Sequence, residues 1–214
     1  MLAEANDWGI ASTQVFWEEI ATQDHLIQLY QDEEMFMNLL SGYVSGGLFA
    51  GEPVVILATQ PHLDALETRL RTNGFDLPAL QWQHRYTTME ANEYLQRFMV
   101  NGWPNERLFR EAASSLVKKI DHKDCRVRLF TETGSVLMEQ NGYGASVQLE
   151  NLWHRFVQNE NLCLFCAYPK SIFRQNPNAS MYHLCGLHSK VISLPGDSAA
   201  EIQYVNTKRK KESL

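Results

Sequence analysis

Apolar and polar positions along this chain follow two periods, and the switches between them mark out the elements. Leu26, Ile27, Leu29 and Tyr30 make a short apolar run that predicts a strand over His25–Tyr30. After a polar break, Gln31-Asp32-Glu33-Glu34, the apolar residues Met35, Phe36, Leu39, Leu40, Tyr43 and Val44 recur at helical spacing and predict a helix to Ala50, its end loosened by Gly46, Gly47 and Gly51. Val54-Val55-Ile56-Leu57-Ala58 is a continuous, largely β-branched run, the signature of a strand buried on both faces. Thr59 followed by Pro61 opens a helix with Leu63, Leu66 and Leu70 on one face, and Asn73-Gly74 closes it.

Further on the pattern weakens and then recovers. Leu80 to Tyr86 predicts an edge strand, because its polar residues suit a sheet border. A helix from about Glu90 to Val100 ends at Gly102-Trp103-Pro104, and Asn105 shows no obvious capping role. Leu108, Phe109, Ala112, Leu116, Val117 and Ile120 repeat helically up to an Asp121–Asp124 turn, and Val127, Leu129 and Phe130 form the next strand. Two helices follow around Asn141-Gly142, over Gly134–Gln140 and Ala145–Asn159. Leu162–Tyr168 is a strong strand stopped by Pro169, Ser171–Ala179 is loop-like, Met181–Ile192 has helical potential, and Ile202–Val205 allows one short strand. Strands alternating with helices predict an α/β fold with a mostly parallel sheet covered on both faces.

Composition narrows the function classes. The chain has 214 residues, 44% of them hydrophobic, enough for one substantial core. Its net charge of -6 and a single basic cluster, Lys208 to Lys211, disfavour a nucleic-acid footprint over the domain. No signal-like segment or apolar run of membrane-spanning length is present, so a cytoplasmic chain without a membrane is expected. The four cysteines make no disulfide framework. Residues 1–24 read as a leader whose Trp8, Phe16, Trp17 and Ile20 are too apolar to stay exposed, 25–193 as the domain, and 194–214 as a polar, basic tail.

In a nucleotide-binding protein of this layout, the break after the first strand would carry glycines and a lysine to hold phosphates. Here it carries Asp32, Glu33 and Glu34, which repel a polyphosphate. Phosphoryl transfer would lack its main charge clamp, so no catalytic residue and no cofactor are expected.

His25-Leu26-Ile27-Gln28-Leu29-Tyr30, Gly51-Glu52-Pro53-Val54-Val55-Ile56, Gly74-Phe75-Asp76-Leu77, Leu149-Glu150-x-x-Trp153, Leu164-Phe165-Cys166-Ala167-Tyr168-Pro169 and Cys185-x-x-His188-Ser189 occur in this order. Together they resemble the MEDS domain, the methanogen/methylotroph sensory domain named after the dichloromethane-responsive repressor. The resemblance spans about His25 to Ile192. It implies a three-layer, RecA-like P-loop-NTPase-type fold, close to the circadian-clock ATPases, with a degenerate phosphate loop, serving as a sensory input often fused to histidine kinases or DNA-binding domains. No kinase or helix-turn-helix segment stands in this sequence, so signalling to a separate partner, such as a histidine kinase or transcription regulator, is expected. RecA-like domains commonly pack side by side, so a homo-oligomer is compatible.

Candidate ligand-binding residues are His25 and Tyr30 bracketing the first strand, Asp32 in the break, Thr59 and Glu132 at strand ends, and Trp153 and Tyr168 as pocket aromatics. Cys163-x-x-Cys166 with Cys185-x-x-His188 has zinc-like spacing. Residues three apart on a strand face opposite ways, however, so Cys163 and Cys166 do not converge and no metal is assigned. Cys166, Cys185 and His188 remain a smaller cluster suited to redox or metal sensing. The leading expectation is a non-catalytic sensory module with a small ligand or partner in the crevice. The alternatives are a divergent nucleotide-binding ATPase and a pure interaction adaptor docking through the leader.

Overall fold

The structure, a computed structural model, describes Trp17 and residues 20–120, 125–175 and 184–193. Six strands form one parallel sheet in the order β3-β2-β6-β7-β1-β8. They are β1 (His25–Tyr30), β2 (Val54–Ala58), β3 (Tyr86–Glu90), β6 (Val127–Thr131), β7 (Leu162–Pro169) and β8 (Lys190–Ser193), with a separate small antiparallel pair, β4 (Met99–Val100) and β5 (Trp103–Pro104). The helices are α1 (Glu33–Phe49), α2 (Gln60–Thr72), α3 (Leu77–Trp82), α4 (Ala91–Leu95), α5 (Glu106–Lys118), α6 (Thr133–Glu139) and α7 (Tyr143–Val157).

Alternation along the buried strands divides the core into two layers. Leu26, Tyr30, Val54, Ile56, Phe130 and Phe165 pack against α1 to α3. Ile27, Leu29, Val55, Leu57, Leu129, Leu164, Cys166 and Tyr168 face α4 to α7. The α/β, parallel, three-layer expectation therefore holds.

Several local expectations are corrected. The edge strand is β3, while Leu80 lies in α3, which Asp76 caps by accepting the Ala79 N–H at 3.1 Å. The polar residues between Trp82 and Tyr86 form the turn after this helix, which carries Pro78 in its first turn, and the sheet border falls later. The helix expected to reach Val100 is only α4, because the β4–β5 turn at Asn101 and Gly102, both at positive φ, takes the chain over. Asn105 does cap: its side chain accepts the Leu108 N–H at 3.1 Å at the start of α5. The helix expected over Met181–Ile192 is confined, among the described residues, to a turn at 184–187, and the chain then pairs with β1 as β8. The turn at 121–124 and the strand at Ile202–Val205 lie outside the described residues, as do Trp8 and Phe16 of the leader.

Gly46 and Gly47 do not loosen α1; they lie inside it, and they admit a neighbour. A Cβ on Gly47 would stand 2.6 Å from Arg128 Cδ, and one on Gly42 would stand 2.8 Å from Trp17 Nε1. Fully buried Trp17 packs on Tyr43 and Phe165, with ring centroids 5.2 and 5.6 Å away. The glycine stripe is the seat of the leader.

Candidate functional site

The carboxyl ends of β1, β2 and β6 converge where α/β sheets bind ligands. Asp32 at this edge caps α1 by accepting the Met35 N–H at 2.7 Å, so the polar break is committed to starting the helix. Glu34 pairs with Arg69 at 2.6 Å. Glu132 ends β6 at the N-cap position of α6 without capping it. Its buried carboxylate accepts the Thr59 N–H at 2.8 Å and binds Nδ1 of His62.

His62 is the hub of this edge. Its other ring nitrogen, Nε2, binds Glu33. Both nitrogens face carboxylate oxygens, so both carry protons and the ring is an imidazolium. Burial pulls its pKa down, but the Glu132 hydrogen bond and the charges of Glu132 and Glu33 outweigh that and raise it above the ordinary 6.5. Burial, and then the charge of Glu132, raises the Glu139 carboxyl beside it. Tyr30 closes the group by stacking on Phe36 at 4.4 Å; burial, and then Glu33, Glu132 and Glu139, raise its phenol. The result is a polar clamp joining the turns after β1, β2 and β6.

A second constellation lies under α7, on the other face of the sheet. Glu150 projects from α7 on the same stripe as Ser146, Trp153 and Val157, fully buried. Tyr168 donates its hydroxyl to Glu150 Oε1. Around the other carboxylate oxygen, Oε2, stand His25 Nε2 at 3.3 Å, Cys166 Sγ at 3.5 Å and His188 Nε2 at 3.5 Å. The β1–β8 pairing brings the two histidines together: the Ser189 N–H donates to the His25 carbonyl at 2.7 Å, and the Ser189 hydroxyl to Asp24 at 2.9 Å. Burial, then His188, lowers the His25 pKa to about 4, so this imidazole is neutral near pH 7. Burial pushes the Glu150 carboxyl up, but the imidazoles of His188 and His25 more than offset it and hold it below the usual range. Burial, then the Glu150 charge, pushes the Cys166 thiol and the Tyr168 phenol well up. A buried, protonated thiol is a poor target for oxidants, which weakens the redox reading of Cys166.

The model of the methanogen/methylotroph, DcmR sensory domain (MEDS) matches residues 24–189. The chain belongs to the MEDS family. A solved protein from Pyrococcus horikoshii OT3, titled as a structural study of Project ID PH0250, is similar in fold, with a TM-score of 0.57 and 14% identity over 86% of this chain and 88% of that one. No curated protein matches the sequence.

Within this MEDS domain the candidate ligand residues divide between two places. Tyr30, Asp32, Thr59 and Glu132 gather at the carboxyl edge, as expected. His25 and Tyr168 instead join Cys166 and His188 around Glu150. Trp153 lines neither place; it packs edge-on to Phe109, with ring centroids 4.8 Å apart, in the aromatic core beside Tyr94 and Phe156. Cys185 is outside the four-residue cluster and half-buried, with its thiol raised by burial. Cys163 faces the opposite layer, its Sγ 3.3 Å from the Tyr43 hydroxyl, as strand alternation requires.

His62, Glu33 and Glu150 were not singled out as site residues. Glu150 had a readable signal, a carboxylate on the apolar stripe of α7. His62 had none beyond its place in the first turn after β2. Two surface hollows along α5, walled by Glu106, Arg110 and Ser114 among others, include none of the clamp or cluster residues.

Proposed function

We propose that this MEDS domain is a non-catalytic sensory module whose signal enters at the carboxyl edge, where a small ligand or a partner's polar group replaces His62 between Glu33 and Glu132. The observation that carries this reading is the clamp itself. It ties together three turns of the sheet through one imidazolium, so its release would free α1, α2 and α6 to shift relative to each other. A ligand moves such an equilibrium only if it binds the released state better. Acidic side chains hold the place a phosphate loop would occupy, which supports a degenerate loop in a RecA-like layout and disfavours a nucleotide. The response would be read in trans by a separate partner, such as a histidine kinase or a transcription regulator.

A non-denaturing mass spectrum of the protein from its own host, beside one of the His62→Gln/Glu132→Gln double variant, tests the reading. The expected result is an organic adduct on the wild type that the folded variant lacks. An adduct retained by that variant, or saturable calorimetric binding of Mg-ATP, would overturn it.

A further inference from the structure

The geometry points to a four-coordinate zinc site in the cluster under α7, formed by His25 Nε2, Glu150 Oε2, Cys166 Sγ and His188 Nε2. It is separate from the clamp and stands whether or not the clamp is the sensory site.

The first argument is spacing. The four donor atoms lie within 4.8 Å of one another and all four residues are buried. Zinc bonds of about 2.0 Å to nitrogen and oxygen and about 2.3 Å to sulfur, at tetrahedral angles, separate donors by about 3.3 Å for N and O and about 3.5 Å for S with either. The protein places N and O at 3.3 and 3.5 Å, S and O at 3.5 Å, and N and S at 3.4 Å. Four of the six edges of the required tetrahedron are thus matched to about 0.2 Å, and the other two donor pairs lie within 4.8 Å.

The second argument is an orphaned nitrogen. His188 Nδ1 donates to the Leu184 carbonyl at 2.6 Å, and a carbonyl only accepts, so that nitrogen carries a proton and is committed to the backbone. Nε2, the nitrogen left to face the cluster, is fully buried, has no hydrogen-bond partner and lies 3.5 Å from Glu150 Oε2. A buried ring nitrogen without a hydrogen-bond partner beside a buried carboxylate marks a place that a bound cation would satisfy. The His188–Leu184 bond also matches how ligating histidines are held, through the nitrogen that does not bind metal. Tyr168 does the same for Glu150 by donating to the oxygen that faces away from the cluster.

The third argument is charge. On binding, Zn²⁺ replaces the Cys166 thiol proton, which leaves to solvent, and His25 binds as the neutral ring with its proton on Nδ1. One thiolate, one carboxylate and Zn²⁺ sum to zero, so the filled interior site is neutral. All four positions are taken by protein, the closed arrangement of a structural site rather than a catalytic one. Its ligands come from β1, α7, β7 and the segment before β8, so the metal would pin the β8 edge to the body of the domain.

The test uses the untagged full chain, purified from zinc-supplemented culture without chelator. A non-denaturing mass spectrum should show one zinc per chain. The same chain, unfolded with chelator and refolded with Co²⁺, should show the visible bands of four-coordinate cobalt with thiolate-to-cobalt charge transfer. Cys166→Ser should lose the charge transfer, Cys185→Ser should keep it, and Tyr168→Phe should weaken Co²⁺ binding about 10- to 100-fold. A metal-free wild type from zinc-supplemented culture would overturn the proposal without any variant having to fold. Charge transfer that survives Cys166→Ser or vanishes in Cys185→Ser would also overturn it.

Discussion

His62 shows how little of a site's chemistry resides in one side chain. Alone it is a histidine in the first turn of a helix; between Glu33 and Glu132 it is a cation that holds three turns together. Its folded pKa lies above the unfolded value, so the stability it contributes is fully present below the ordinary 6.5 and is lost as pH rises through the folded pKa. The melting-temperature gap between wild type and His62→Gln should therefore be larger at about pH 6 than at about pH 9. A gap that is flat with pH, or widens toward alkaline pH, would mean the clamp carries no imidazolium. The pairing itself was not legible in the sequence, because Glu33 and Glu132 are far apart along the chain and meet only through the sheet.

Among the elements, α1 is the one whose sequence was read correctly in extent and wrongly in meaning. Its apolar spacing fixed a helix beside the sheet, and the structure ends it at Phe49. The glycines looked like weak points because Gly disfavours helices by up to about 1 kcal/mol relative to Ala. Their reason is instead contact, since Arg128 and Trp17 lie where Cβ atoms would be. Gly47→Ala should accordingly destabilise the fold by about 1–3 kcal/mol in urea melts despite its better helix propensity, because a Cβ 2.6 Å from Arg128 Cδ forces that side chain off its hydrogen bonds. A neutral or stabilising result would show that Arg128 can yield. The short elements between β2 and β6 were misread for a different reason. Each is too brief for its period to be distinguished, and Asp76 declares its cap only once the helix it starts is seen.

At the scale of the whole molecule, a buried ion network joins the leader to the sheet. Arg128, fully buried on β6, donates to the carbonyls of Tyr43 at 3.0 Å and Trp17 at 2.9 Å and pairs with Glu52. Arg126 pairs with the same Glu52 at 2.6 Å and donates to the Ile20 carbonyl. One carboxylate thus pairs with two guanidiniums at the point where leader, α1 and β6 meet. Removing it would leave Arg128 charged and buried, a condition that costs about 3–5 kcal/mol. Glu52→Ala should lower the urea midpoint by that equivalent at unchanged m-value, and a loss below about 1 kcal/mol would show that the network is not needed to hold the leader. No described helix is long and apolar enough to cross a membrane.

The sequence by itself determined the long elements and their class. Strands such as Val54–Ala58 and Leu162–Tyr168 are apolar on both faces, and that is stable only inside a covered parallel sheet. It also determined that Cys163 and Cys166 would part company, because strand alternation is a local property of the backbone. Tertiary structure decided what those elements bring together. Strand order placed β8 beside β1 and so set His188 against His25, with ring centroids 3.9 Å apart, and α7 packed Glu150 between them and Cys166. No local period encodes such a meeting. It follows from burying both faces of one sheet at once, which forces polar groups distant in the chain to satisfy one another in the same interior.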